Sequence, residues 1–96
     1  MGASEGRTRA VTAYRIEMRP RASKHLARID PVARQRLAKA VDALASDPEP
    51  PGCSPLKSIP GAMRVRVGDY RIVYVVLRDT QVIDVHDIDH RKDIYR

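Results

Sequence analysis

The residues most suited to chemistry in this sequence are the arginines of one short segment. Residues 63 to 67 read Met-Arg-Val-Arg-Val, Gly68-Asp69 follows, and Tyr70-Arg71 opens a β-branched run. With Gly68 and Asp69 as the two central residues of a hairpin turn, Val67 faces Tyr70, Arg66 faces Arg71, Val65 faces Ile72 and Arg64 faces Val73. Side chains alternate along a strand, so Arg64, Arg66 and Arg71 share one face; Met63, Val65, Val67, Tyr70, Ile72 and Tyr74 share the other. Like charges directly opposed across an antiparallel pair cost a few tenths to ~1 kcal/mol, which makes Arg66 against Arg71 a poor choice for stability alone. A bound anion reverses that sign, because a guanidinium stays charged at any relevant pH and offers fixed donors to phosphate oxygens. The three arginines therefore read as a phosphate clamp. They also read as solvated edge residues paired with carboxylates such as Asp69, Asp84 or Asp87.

The elements that must position this face follow from periodicity. Tyr14, Ile16 and Met18 alternate with Arg15 and Glu17 as in a half-buried strand. Pro20 opens a short helix with Ala22, His25, Leu26 and Ile29 on its apolar spacing, ending near Asp30. Asp30-Pro31 restarts a helix, the carboxylate capping free N–H groups, and Ala33, Leu37, Ala40, Val41 and Leu44 mark its apolar face up to about Asp47. Residues 47 to 55, DPEPPGCSP, hold four of the seven prolines and are expected to form a stiff connector without regular structure. Strands follow at 63 to 67, 70 to 77 and 82 to 88, with residues 90 to 96 a turn of helix or a tail. The expected fold is α+β, in the order β-α-α-β-β-β: an N-terminal helical hairpin packed on a four-stranded, mainly antiparallel sheet. Residues 1–12 mix Gly, Ser, Thr and charge without period and are expected to be a flexible extension, leaving 13–96 as a single domain.

The 96 residues are 43% hydrophobic, enough for one core and no second. With four tyrosines and no Phe or Trp, that core is built from aliphatic residues. The net charge of +6 favours polyanionic partners. Residues 1 to 46 carry ten basic and four acidic side chains, a surface suited to an RNA backbone and also to plain solvation. One cysteine, Cys53, rules out an internal disulfide and a C-x-x-C motif. No apolar run approaches the ~18 residues that span a bilayer, and a signal-peptide stretch is lacking, so a cytoplasmic setting without membrane is expected. His86, Asp87, Asp89 and His90 are metal-ligand types, but on a regular strand His86 and Ile88 share one face while Asp87 and Asp89 share the other, so no metal site is expected. Asp84, Asp87 and Asp89 are expected instead to offset and orient Arg71 or Arg91.

The stretch LKSIPGAMRVRVGDYRIVYVV and the ending HRKDIYR resemble the RelE/ParE toxin superfamily, more closely its RelE branch, over most of residues 13 to 96. The resemblance rests on element order, the Leu-x-x-hydrophobic-Pro-Gly lead-in, the basic-x-basic strand, Gly-Asp-Tyr-Arg and the His-Arg…Tyr-Arg end. It implies a toxin that cleaves messenger RNA in the ribosomal A site without metal or cofactor, the 2′-hydroxyl attacking the adjacent phosphate. It implies the catalytic set Arg64, Arg66, Arg71, Arg91 and Tyr95, with His90 and Lys57 as further catalytic or RNA-contacting candidates. It also implies ribosomal RNA and a cognate RelB-like antitoxin as partners. Arg64 and Arg66 fall where the best-known pattern has lysine; with a pKa above ~12 arginine is a poor base, which moves proton abstraction to Tyr95 or His90. The sequence ends one residue past Tyr95, so a longer C-terminal helix is not expected and Tyr95 is expected to be mobile until RNA binds. Two alternatives share these residues: a ParE-like toxin that poisons DNA gyrase, and a non-enzymatic nucleic-acid-binding module.

Overall fold

The computed structural model describes residues 13–90. The extension expected at 1–12, and with it Arg91 and Tyr95 at the other end, lie outside the described residues. The elements are β1 (Arg15–Met18), α1 (Pro20–Ala27), α2 (Pro31–Leu44), β2 (Ser54–Pro55), β3 (Ala62–Val67), β4 (Tyr70–Leu77) and β5 (Val82–His90). Pro20 and Pro31 each open a helix, where a missing N–H costs nothing. At α2 the Asp30 carboxylate accepts from the Ala33 N–H at 3.2 Å, the cap expected of Asp-Pro.

The sheet has five strands in the order β1-β5-β4-β3-β2, with β1 parallel to β5 and the remaining pairs antiparallel. The fifth strand is a correction: the proline-rich connector contributes β2, in which Ser54 pairs with Arg64 and Pro55 with Met63. Its position on the sheet edge explains why proline is tolerated, since one side of the strand needs no donor. The β3–β4 hairpin has the expected register, with Val67 opposite Tyr70, Arg66 opposite Arg71 and Arg64 opposite Val73. Gly68 takes φ of 61° in the turn, a conformation glycine adopts without strain.

Both helices lie over one sheet face. Ala22, Leu37, Val41 and Leu44 pack there against Val65, Ile72, Tyr74, Ile83, Val85 and Ile88. The buried Tyr74 donates its hydroxyl to the Pro48 carbonyl at 2.7 Å, fastening the connector to the core. Burial pushes the phenol's pKa well up, so Tyr74 remains a neutral donor.

A bulge in β5 sets the opposite face. Val73 pairs with Asp87 and Tyr74 with Val85, leaving His86 as the extra residue. The regular alternation expected for this strand would have put His86 beside Ile88. The bulge instead lets Val85 and Ile88 both enter the core and sends Asp84 to one side of the irregularity and Asp87 and Asp89 to the other, all outward. β1 pairs only with Val82–Val85, and past its end α1 packs along β5.

Candidate functional site

The outer sheet face forms the floor of a cleft of about 570 Å³. Arg71 and Val73 of β4 and His86, Asp87 and Asp89 of β5 line the floor; the start of α1 (Arg19, Pro20, Arg21) and the loop residues Leu56, Ser58 and Ile59 complete the lining. The loop is closed by its own backbone: Leu56 N–H donates to Ala62 at 2.9 Å and Ala62 N–H to Ile59 at 3.0 Å. Gly61, at φ of 80°, makes the return possible, which gives the Pro-Gly pair of the lead-in its structural meaning.

Arg64, Arg66 and Arg71 share this outer face as expected, yet they are not equivalent. Arg71 is only 6% exposed and lines the cleft, whereas Arg66 is exposed beside it and Arg64 is half-buried. The side-chain hydrogen bond of Arg64 goes to Ser54 Oγ at 3.1 Å, not to a carboxylate. A buried guanidinium is costly without compensating negative charge, and Asp89 stands directly across from Arg71 in the β4–β5 register. Lys57 is exposed on the loop and does not line the cleft. His90 is opposite Tyr70, whose face is that of the helices, and its ring meets the Tyr70 ring edge-on with centroids 5.1 Å apart. The structure thus brings Arg64, Arg66 and Arg71 together and leaves His90 on the other side of the sheet.

The acids of β5 are held chiefly from α1. Arg19 forks onto Asp84, with Nη2 to Oδ2 at 3.0 Å and Nε to Oδ1 at 3.2 Å. Hydrogen bonding from Arg19 keeps the Asp84 carboxyl below its usual range despite burial, with His86 Nε2 a further neighbour at 3.4 Å. Arg21 Nε approaches Asp87 at 3.2 Å, and His25 Nδ1 lies 2.7 Å from Asp87 and 3.0 Å from Asp89. Burial works to raise Asp87, but hydrogen bonds from Asp89, His25 and the Ile88 N–H outweigh it and hold that carboxyl low. Burial and the neighbouring Asp87 push Asp89 up to about 6.

His25 is the residue that sequence reasoning placed among core positions; it faces these carboxylates instead. The available signal was Arg21 and His25 four apart on one helix face, matched by Asp87 and Asp89 two apart on one strand face. Donor atoms of His25, Asp87 and Asp89 lie within 4.8 Å of one another, the spacing of a metal ligand set. The His25 nitrogen and the Asp87 oxygens are already engaged in hydrogen bonds and the Arg21 ion pair, which makes the group a clamp between α1 and β5.

Solved structures share this architecture. The toxin–antitoxin complex RelBE2 from Mycobacterium tuberculosis matches with a TM-score of 0.73 at 21% identity, covering 82% of this chain and 99% of that one. The RelE–RelB complex from Pyrococcus horikoshii matches with a TM-score of 0.73 at 25% identity, covering 82% and 96%. The isolated RelE toxin of E. coli gives 0.71 at 23% identity, over 86% and 92%. Two helices packed on one face of a mixed sheet are the α+β fold that these toxins share, and the matches to known sequences give the class as the RelE/ParE toxin superfamily. RelE1 of Methanocaldococcus jannaschii is 28% identical over 86 residues, 86% of this chain and 96% of the relative. Residues 16–95 match the family described as the ParE toxin of type II toxin–antitoxin systems, and the chain belongs to that family.

Proposed function

We propose that this type II toxin is a RelE-like RNA endonuclease that cuts messenger RNA in the ribosomal A site without a metal ion. The observation that supports it most is the Arg66–Arg71 pair opposed across β3 and β4, beside Arg64, with Arg71 buried in the cleft lining. Guanidinium groups gathered on one sheet face offer fixed donors to phosphate oxygens, and a phosphodiester is the anion the reaction requires.

In the reaction proposed, the 2′-oxygen attacks phosphorus, the bond to the 5′-oxygen breaks, and the products are a 2′,3′-cyclic phosphate and a 5′-hydroxyl. Arg71 holds the phosphate, Arg64 and Arg66 stabilise the charge that accumulates on the phosphorane, and Arg71 or Arg66 gives the leaving 5′-oxygen its proton and regains one from solvent. Arg91 is assigned as a second phosphate ligand. Tyr95 is assigned the 2′-proton, a role that requires its phenol to fall below the ordinary pKa of ~10 when RNA is bound. His90 lies on the helix side of the sheet, away from the cleft lining, and is set aside as a candidate for that role; Lys57 is assigned an outer RNA contact. Ribosomal RNA is proposed to meet the basic helical surface, a RelB-like antitoxin to block the cleft, and the cytoplasm to be the place of action. The M. tuberculosis and P. horikoshii structures are of toxin–antitoxin complexes, which supports that partner. No helix among the described residues is long and apolar enough to cross a membrane.

The name of the matched family favours a second reading, a ParE-like gyrase poison. Incubation with programmed ribosomes and, separately, with gyrase and supercoiled plasmid distinguishes them. Cuts in ribosome-bound message that disappear in Arg71→Ala and Tyr95→Phe support the nuclease; intact message with trapped gyrase–DNA complexes overturns it.

A further inference from the structure

A cleft that takes RNA ought to exclude negative charge, yet Asp87 and Asp89 line this one. Their charge is offset from α1: His25 Nδ1 lies 2.7 Å from Asp87 and 3.0 Å from Asp89, and Arg21 pairs with the other oxygen of Asp87 at 3.2 Å. One imidazole N–H cannot fully satisfy two carboxylates, so the cluster is short of protons when both are ionised. We propose that His25, Asp87 and Asp89 form a proton-controlled gate on the cleft, tightening its hold on a phosphodiester when the cluster gains a proton and loosening it when the proton leaves. The inference rests on the reading of the cleft as an RNA site and adds its regulation.

The charged and titratable groups around the cluster are Arg19 at the start of α1, Arg21 and Arg28 from α1 and its end, Asp30 from the turn after it, Tyr70 and Arg71 from β4, and Asp84, His86 and His90 from β5, with His86 and Arg19 engaged by Asp84. The arginines keep their charge throughout. His90 rests against Tyr70 on the helix side. Burial beside Asp87 brings Asp89 to about 6. The proton that Asp89 loses adds one negative charge beside Arg71, on the strand position directly opposite it. At the effective dielectric of a protein surface, one charge several ångströms from a phosphate changes affinity about tenfold after screening by salt.

The test is fluorescence anisotropy of the full chain with a single-stranded RNA carrying 2′-O-methyl groups, which binds but cannot be cut, at pH 5.5 and 8.0 and constant ionic strength. The wild type is expected to weaken about tenfold between the two. Asp89→Asn is expected to stay tight at pH 8.0, and His25→Gln to be weak already at pH 5.5. These opposite effects cannot both come from misfolding, and His90→Gln is expected to keep the wild-type profile. Wild-type binding that is independent of pH, or a pH response that survives unchanged in both cluster variants, overturns the gate while leaving the RNA site standing. Failure to bind RNA at either pH overturns the RNA reading and the gate with it.

Discussion

Replacing Tyr74 by Phe removes one oxygen from the most enclosed large side chain of the core. The ring is fully buried and keeps its packing, so the loss is confined to the hydrogen bond to the Pro48 carbonyl at 2.7 Å. A hydrogen bond of this kind is worth about 1 kcal/mol net, and leaving a half-buried carbonyl unpaired brings the expected destabilisation to about 1.5 kcal/mol. For a domain of this size that corresponds to a fall in Tm of about 6–12 °C. The effect reaches the cleft, because Pro48 begins the connector that runs through β2 to the Leu56–Gly61 loop lining it. Thermal unfolding followed by circular dichroism gives the stability, and limited proteolysis at the connector gives the local loosening. An unchanged Tm, or a lowered Tm with a connector cut no faster than in the wild type, would refute the tether.

Further expectations follow from single contacts. Asp30→Ala removes the cap of α2 and should cost about 1 kcal/mol in denaturant unfolding, with Asp30→Asn close to wild type. Asp89 is raised in the folded state, so its contribution to stability is complete below the unfolded value of ~4 and is lost as pH rises through about 6. Asp89→Asn should therefore raise Tm relative to wild type at pH 8 and have little effect at pH 4; the reverse pattern would contradict the assignment. Asp84 is held low, so its contribution is present above ~4 and is lost as pH falls through its folded value. The acid branch of the Tm profile should be shallower in Asp84→Asn.

The parts of the fold written in local rules were legible before any coordinates. Alternation in Met63–Val67 and the Gly68-Asp69 turn gave the β3–β4 register residue by residue, and Asp30-Pro31 marked the start of α2. β2 was hidden because two residues carry no period and a segment dense in proline argues against a strand; the pairing is dictated by the free edge of β3. The His86 bulge is a compromise between Val85 and Ile88, both of which the core requires, and nothing in the strand's own pattern announces it. His25 was misplaced because its spacing from Ala22 and Leu26 suits an apolar stripe, while the acids that draw it out lie some sixty residues away on β5. The arginine face was legible, but the burial of Arg71 was not, since the loop and α1 that enclose it are distant in sequence.

The proposed chemistry turns on one atom of the substrate, the 2′-oxygen beside the cut. The decisive measurement is therefore cleavage of a ribosome-bound message carrying a single 2′-deoxynucleotide at that position, compared with the all-ribose message. The account predicts that the all-ribose message is cut in the A site to a 2′,3′-cyclic phosphate and that the single deoxy substitution abolishes the cut. Cleavage of the deoxy message, or a linear 3′-hydroxyl end on the ribose product, would contradict it.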